Sequence, residues 1–104
     1  MGETAHSGAI DFEFRHDAVA AVAQLFAVMR AHWIERLQAG DDLVYTNGVV
    51  NTPPSQSFNI ISGEVTFSLD IRTLSVQTRE HFYELFKKEV RKIEADFGVR
   101  FEFD

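Results

Sequence analysis

At 104 residues the chain is long enough for one domain with a single core, 45% apolar and rich in phenylalanine (ten), but too short to add an enclosed catalytic cleft. The absence of cysteine excludes a disulfide framework and thiolate chemistry, which fits a reducing cytoplasm. Sixteen acidic against ten basic residues give a net charge of -6, which argues against a nucleic-acid partner. No apolar run reaches the roughly 18 residues of a membrane span, so no membrane is expected either.

Residues 1–8 (M-G-E-T-A-H-S-G) are small and polar and read as a loop. Ile10, Phe12 and Phe14 alternate with Asp11, Glu13 and Arg15, the period of a short half-buried strand. From about Asp17 the period changes. Val19, Val22, Phe26, Met29 and Trp33 fall on one helical stripe, with Leu37 near its end. Asp17 suits an N-cap and Gly40 a stop. Ala20, Ala23, Ala27 and Ala31 form a second, small face that permits close approach of another element.

Residues 43–50 (L-V-Y-T-N-G-V-V) are β-rich and read as an edge strand, with imperfect alternation at Asn47-Gly48. Residues 51–57, with Pro53-Pro54, read as a loop or irregular edge, because proline cannot donate to a ladder. The most regular stretch follows. Val65, Phe67, Leu69 and Ile71 alternate with Glu64, Thr66, Ser68, Asp70 and Arg72, as a strand with one buried and one open face requires. Ser75 then offers a cap for a second helix over 76–97, with Phe82, Leu85, Phe86, Val90, Ile93 and Phe97 inward. Lys87, Lys88, Arg91 and Lys92 face outward with Glu84, which is placed to pair with Lys88. Gly98 ends the helix, and Val99, Phe101 and Phe103 alternate as a last strand.

This order predicts one α+β domain over 1–104. Its ferredoxin-like βαββαβ sandwich would place two helices on one face of an antiparallel sheet. Chemistry is harder to find. His6, His16, His32 and His81 lack any zinc spacing, and there is no catalytic triad ordering or phosphate loop. His32 and His81 read as surface or boundary residues of the helices, the Lys87 to Lys92 cluster as a solvated face, and Asp70 with Arg72 as an exposed ion pair.

Four segments taken together carry a resemblance: G-E-T-A-H-S-G, R-H-D-A, N-I-I-S-G-E-V-T-F-S-L-D-I-R and A-D-F-G-V-R-F-E. In order and spacing they resemble the lid, or dimerisation, domain of the two-zinc amidohydrolases. The branch is that of N-carbamoyl-L-amino-acid hydrolases, β-ureidopropionases and allantoate amidohydrolases, related to carboxypeptidase G. The family patterns are H-[AS]-G-x-x-P-M-x-x-R-x-D-A and N-V-I-P-G-E-V-x-F-x-x-D-x-R. This sequence departs from them by lacking the Pro-Met and by carrying Ser62 for the second proline.

The resemblance implies roles residue by residue. His6 matches a histidine that stabilises the oxyanion, often in the neighbouring subunit's active site. Asn59 matches a substrate-binding asparagine, and Arg72 the arginine that grips the substrate carboxylate. Gly63 would form the turn before the strand, and Arg15 and Asp17 match the R-x-D pair. The two zinc ions and their ligands would belong to a separate catalytic domain, with no metal site and no turnover in this segment alone. A homodimer through edge strand 43–50 and the first helix is implied, as is a cytoplasmic location. The family lid has a strand just before the histidine motif, so the chain reads as beginning after it, as a piece of a larger hydrolase. The gap left in the sheet would then be filled by residues 10–14 as a strand, although the family pattern makes 9–14 a loop; strand exchange between chains is the other remedy. The competing reading is a free-standing ferredoxin-like module that binds a ligand or regulates; an RNA-binding version would expose aromatics on the open sheet face.

Overall fold

A computed structural model describes residues 2–9 (as backbone), 17–52 and 64–103 of the chain. In chain order the elements are β1 (Gly2–Ala9), α1 (Ala18–Gln38), β2 (Val44–Thr46), β3 (Val50–Asn51), β4 (Glu64–Arg72), α2 (Val76–Phe97) and β5 (Val99–Phe103). The sheet runs β2-β4-β1-β5, with β3 also pairing β4, and every pair is antiparallel. The fold is the expected two-layer α+β sandwich. One core joins α1 and α2 to the inward row Val65, Phe67 and Leu69 of β4 and to Val99 and Phe101 of β5.

The first correction concerns residues 1–8. They do not form a loop: Gly2–Ala9 is the central strand, in register with β4 from Gly2↔Asp70 to Gly8↔Glu64 and with β5 from Ala5↔Phe103 to Ala9↔Val99. The histidine motif therefore lies within the strand rather than after it, and the slot between β4 and β5 is filled without a replacement. The physical reason is on its neighbours. Phe67 of β4 and Phe101 of β5 meet edge to face with ring centroids 6.2 Å apart, although β1 lies between their strands. Neighbouring strands are about 4.8 Å apart, so two rings can meet over a third strand only if it carries little bulk. Small residues in β1 weaken its pattern, and tertiary pairing overrides propensity. The alternation of Ile10, Phe12 and Phe14, like Arg15, Asn59 and Gly63, lies outside the described residues.

Helix α1 starts where expected, with the Asp17 carboxylate accepting from the Ala20 N–H at 3.1 Å. Its buried face is rotated from the predicted stripe. Ala18, Ala21, Val22, Leu25 and Met29 are buried, while Val19 and Leu37 are exposed and Phe26 and Trp33 half-buried. Small Ala18 and Ala21 bring this face close to the sheet, whereas Ala23, Ala27 and Ala31 are exposed. The Phe26 ring packs edge-on to Phe67 at 5.4 Å, and the Trp33 indole N–H donates to the Leu43 carbonyl at 2.7 Å.

The expected strand over 43–50 is two short strands. At the break, the Asn47 amide donates to the Ser68 carbonyl (3.0 Å) and the Val49 N–H to Ser68 Oγ (2.9 Å), while the Ser68 N–H donates to the Val49 carbonyl (2.9 Å). Ser68 thus substitutes a side chain for one rung, which the broken alternation at Asn47-Gly48 demands. Helix α2 behaves as predicted: Ser75 Oγ accepts from the Thr78 N–H at 3.2 Å, and Phe82, Phe86, Val90 and Ile93 are buried. Gly98 closes it with φ 66°, a left-handed conformation that costs glycine little. Glu84 pairs with Lys87, three residues on, at 3.4 Å instead of with Lys88.

Candidate functional site on the open face of the sheet

Because Val65, Phe67 and Leu69 point into the helical layer, their alternates face away from it. Thr66, Ser68 and Asp70 are half-buried on this uncovered face, and Glu64 and Arg72 are exposed. Arg72 closes β4, with 70% of its side chain exposed. Its Nε donates to Asp70 Oδ2 at 2.9 Å along the same strand, and Nη1 and Nη2 make no hydrogen bond or ion pair among the described residues. Among the described residues the guanidinium is therefore held at its Nε edge alone.

The turn beyond Arg72 is clamped by one carboxylate. Asp42 accepts from the Leu74 N–H through Oδ2 and from the Thr73 hydroxyl through Oδ1, both at 3.0 Å, and Thr73 Oγ1 accepts from the Ser75 N–H at 3.2 Å. The Leu74 N–H, then the Thr73 hydroxyl, hold the Asp42 carboxyl below its ordinary value of 3.8. Sequence reasoning gave Asp42 no role, since nothing in its neighbourhood announces a partner about 30 residues away. Between the end of β4 and α2 lies a groove of about 510 Å³ whose lining includes Arg72, Arg79 and Tyr83.

His6 holds the register position opposite Thr66 of β4 and Glu102 of β5. Thr66 precedes Arg72 by six residues on one strand, which at about 3.3 Å per residue is a separation near 20 Å. Asn59 lies outside the described residues. The structure thus places His6 and Arg72 on one sheet without bringing their backbone positions together.

The histidines on the helices are boundary and surface residues, as expected. His32 Nε2 lies 2.9 Å from Glu89 Oε2, an α1–α2 contact, and His81 is exposed. Lys87, Lys88, Arg91 and Lys92 are exposed, with Lys87 Nζ 5.1 Å from the Tyr83 ring centroid. Among the described residues no group of three or more histidines or carboxylates is arranged to hold a metal ion, and no helix is long and apolar enough to cross a membrane.

No protein-family model matches the chain. An uncharacterized hydrolase of Haemophilus influenzae is 33% identical to it over 102 residues, covering 97% of this chain and 24% of the relative. Allantoate amidohydrolase of Escherichia coli is 29% identical over 102 residues, covering 94% of this chain and 23% of that enzyme. The chain is homologous to a segment of these hydrolases. It spans about a quarter of the length of these relatives. The fold agrees: a hydantoinase/carbamoylase family amidase from Burkholderia ambifaria superposes with a TM-score of 0.82 at 21% identity, over 99% of this chain and 26% of the other. The likeness to amidohydrolase segments therefore rests on sequence, and the α+β sandwich on structure.

Proposed function

We propose that this amidohydrolase segment is the dimerisation and substrate-binding lid of a metal-dependent enzyme acting on N-carbamoyl amino acids or related small amides. The observation that carries the reading is the Arg72 guanidinium, 70% exposed at the end of the open face, with only its Nε engaged among the described residues. A guanidinium is permanently charged and its paired N–H groups match a carboxylate bidentately. Arg72 would bind the substrate carboxylate, Asn59 would orient the amide, and His6 would donate to the oxygen that gains charge during hydrolysis.

The separation near 20 Å between the strand positions of His6 and Arg72 exceeds what one small substrate spans. It supports a site assembled from two copies, each supplying a different residue. The β2 edge and the adjoining valines suit that pairing: Val44, Val49 and Val50 are each about half exposed. The described residues offer no ligand set for a metal, so the two zinc ions of the resemblance would be held elsewhere in a longer polypeptide. When bound there they would polarise the amide carbonyl and supply hydroxide. The segment alone would not turn substrate over, and a cytoplasmic setting fits the lack of cysteine.

The test is a chimera in which this chain replaces the matching segment of the E. coli allantoate amidohydrolase. Metal-dependent ammonia release by the chimera, absent from the isolated chain, is the expected result. Arg72→Ala should raise KM by about 10- to 100-fold, the worth of a charged hydrogen-bonded pair. An unchanged KM would refute the carboxylate role, and turnover by the isolated chain would refute the lid reading.

A further inference from the structure

A free arginine on a strand end sweeps a large volume, since its side chain has many rotamers and is 70% exposed here. Bidentate recognition needs the guanidinium plane fixed before the ligand arrives, otherwise ordering it consumes part of the binding free energy. Asp70 is the group that fixes it. Residues two apart on a strand share a face, and Asp70 is the more sheltered of the two, with its side chain 27% exposed. Its Oδ2 takes the Nε–H at 2.9 Å, which leaves Nη1 and Nη2 as the donors not used by Asp70.

Electrostatics alone would argue against an aspartate here. A second anion beside the fork opposes the approach of a carboxylate and lowers the local positive potential. An acid in this place makes sense if its orienting contribution exceeds that repulsion. On the same face Ser68 Oγ already accepts from the Val49 N–H, and among the described residues Asp70 is the acceptor that Nε meets.

We infer that Asp70 is a positioning residue: it holds the Arg72 guanidinium by Nε so that the opposite edge is presented to a ligand carboxylate. The inference rests on the carboxylate-binding role proposed for Arg72 and adds a separate, separable claim. Orientation and charge are distinguished by two substitutions. Asp70→Ala removes both, whereas Asp70→Asn removes the charge and keeps an acceptor oxygen for Nε.

Two measurements test it. In the isolated chain, the Arg72 Nε–H proton should be observable by nitrogen-15 NMR as a slowly exchanging signal, lost in Asp70→Ala and retained in Asp70→Asn. In the chimera with the E. coli enzyme, Asp70→Ala should raise KM for a carboxylate substrate by about tenfold with kcat little changed, and Asp70→Asn should recover most of that loss. A KM that falls in Asp70→Ala while Arg72→Ala raises it would mean that Asp70 only repels the ligand; positioning would be overturned and the Arg72 role kept. An Arg72→Ala chimera with unaltered KM would remove the Arg72 role and positioning together. If the chimera fails to fold, an Nε–H signal that exchanges equally fast in the parent chain and in Asp70→Ala overturns the inference by itself.

Discussion

The Phe67 and Phe101 rings touch edge to face across a strand that separates their backbones, with centroids 6.2 Å apart. Phe67 is fully buried and also meets Phe26 of α1, so one ring ties β4, β5 and the first helix together. Phe67→Ala should destabilise the fold by about 3–5 kcal/mol through lost burial and a cavity. For a domain of this size that lowers the melting temperature by more than about 12 °C, measurable by calorimetry.

Tyr45 is buried against Phe82, ring to ring at 5.4 Å, and its hydroxyl has no hydrogen-bond partner among the described residues. Burial pushes its pKa up to about 12, outweighing the lowering effect of the Asn47 side chain. The unfolded chain ionises this phenol near the ordinary value of 10, so above that pH the native state holds the extra proton. Stability should therefore fall as pH rises from 10 towards 12. Tyr45→Phe should flatten that alkaline limb and be neutral or slightly stabilising at pH 7, because it removes an unpaired buried hydroxyl. Urea midpoints measured across pH for both proteins check this.

The Asp42 clamp gives the opposite limb. Its carboxyl titrates below the ordinary 3.8, so its contribution is present above that pH and is lost as pH falls through the depressed native value. Asp42→Ala should speed hydrogen exchange at the Leu74 amide without unfolding the domain, since the clamp is exposed and local. Equal exchange rates in parent and variant would show that the clamp does not order the turn.

Dimerisation through the β2 edge is tested by charge. Val44 is 51% exposed on a strand that pairs on one side only among the described residues. Val44→Lys should convert a dimeric mass into a monomeric one in sedimentation equilibrium, with the far-UV spectrum unchanged. A parent chain that is monomeric at all concentrations would remove the dimer reading.

Sequence legibility followed side-chain size. Where a residue's face was dictated by its own bulk, as in β4 and α2, period and caps sufficed: the Val65 to Leu69 row and the Ser75 cap stand where the pattern put them. Where placement depended on what neighbours required, the pattern misled. The central strand is nearly featureless because Phe67 and Phe101 occupy the volume above it, and α1 buries Ala18 and Ala21 in preference to Val19 for close approach. Arg72 was legible as an open-face residue from parity alone. The clamp by Asp42 was not, because hydrogen bonds between a loop and a distant turn leave no periodic trace.

The distance along the ladder between His6 and Arg72 has a genetic corollary on the proposed reading. Two alleles of the parent gene, one losing the histidine and the other the arginine, would each be inactive. Co-expressed, they would form mixed pairs in which one of the two composite sites receives both wild-type groups. Partial restoration of growth from two null alleles would be the outward sign of a register set by the seven residues of β1 that pair with β4.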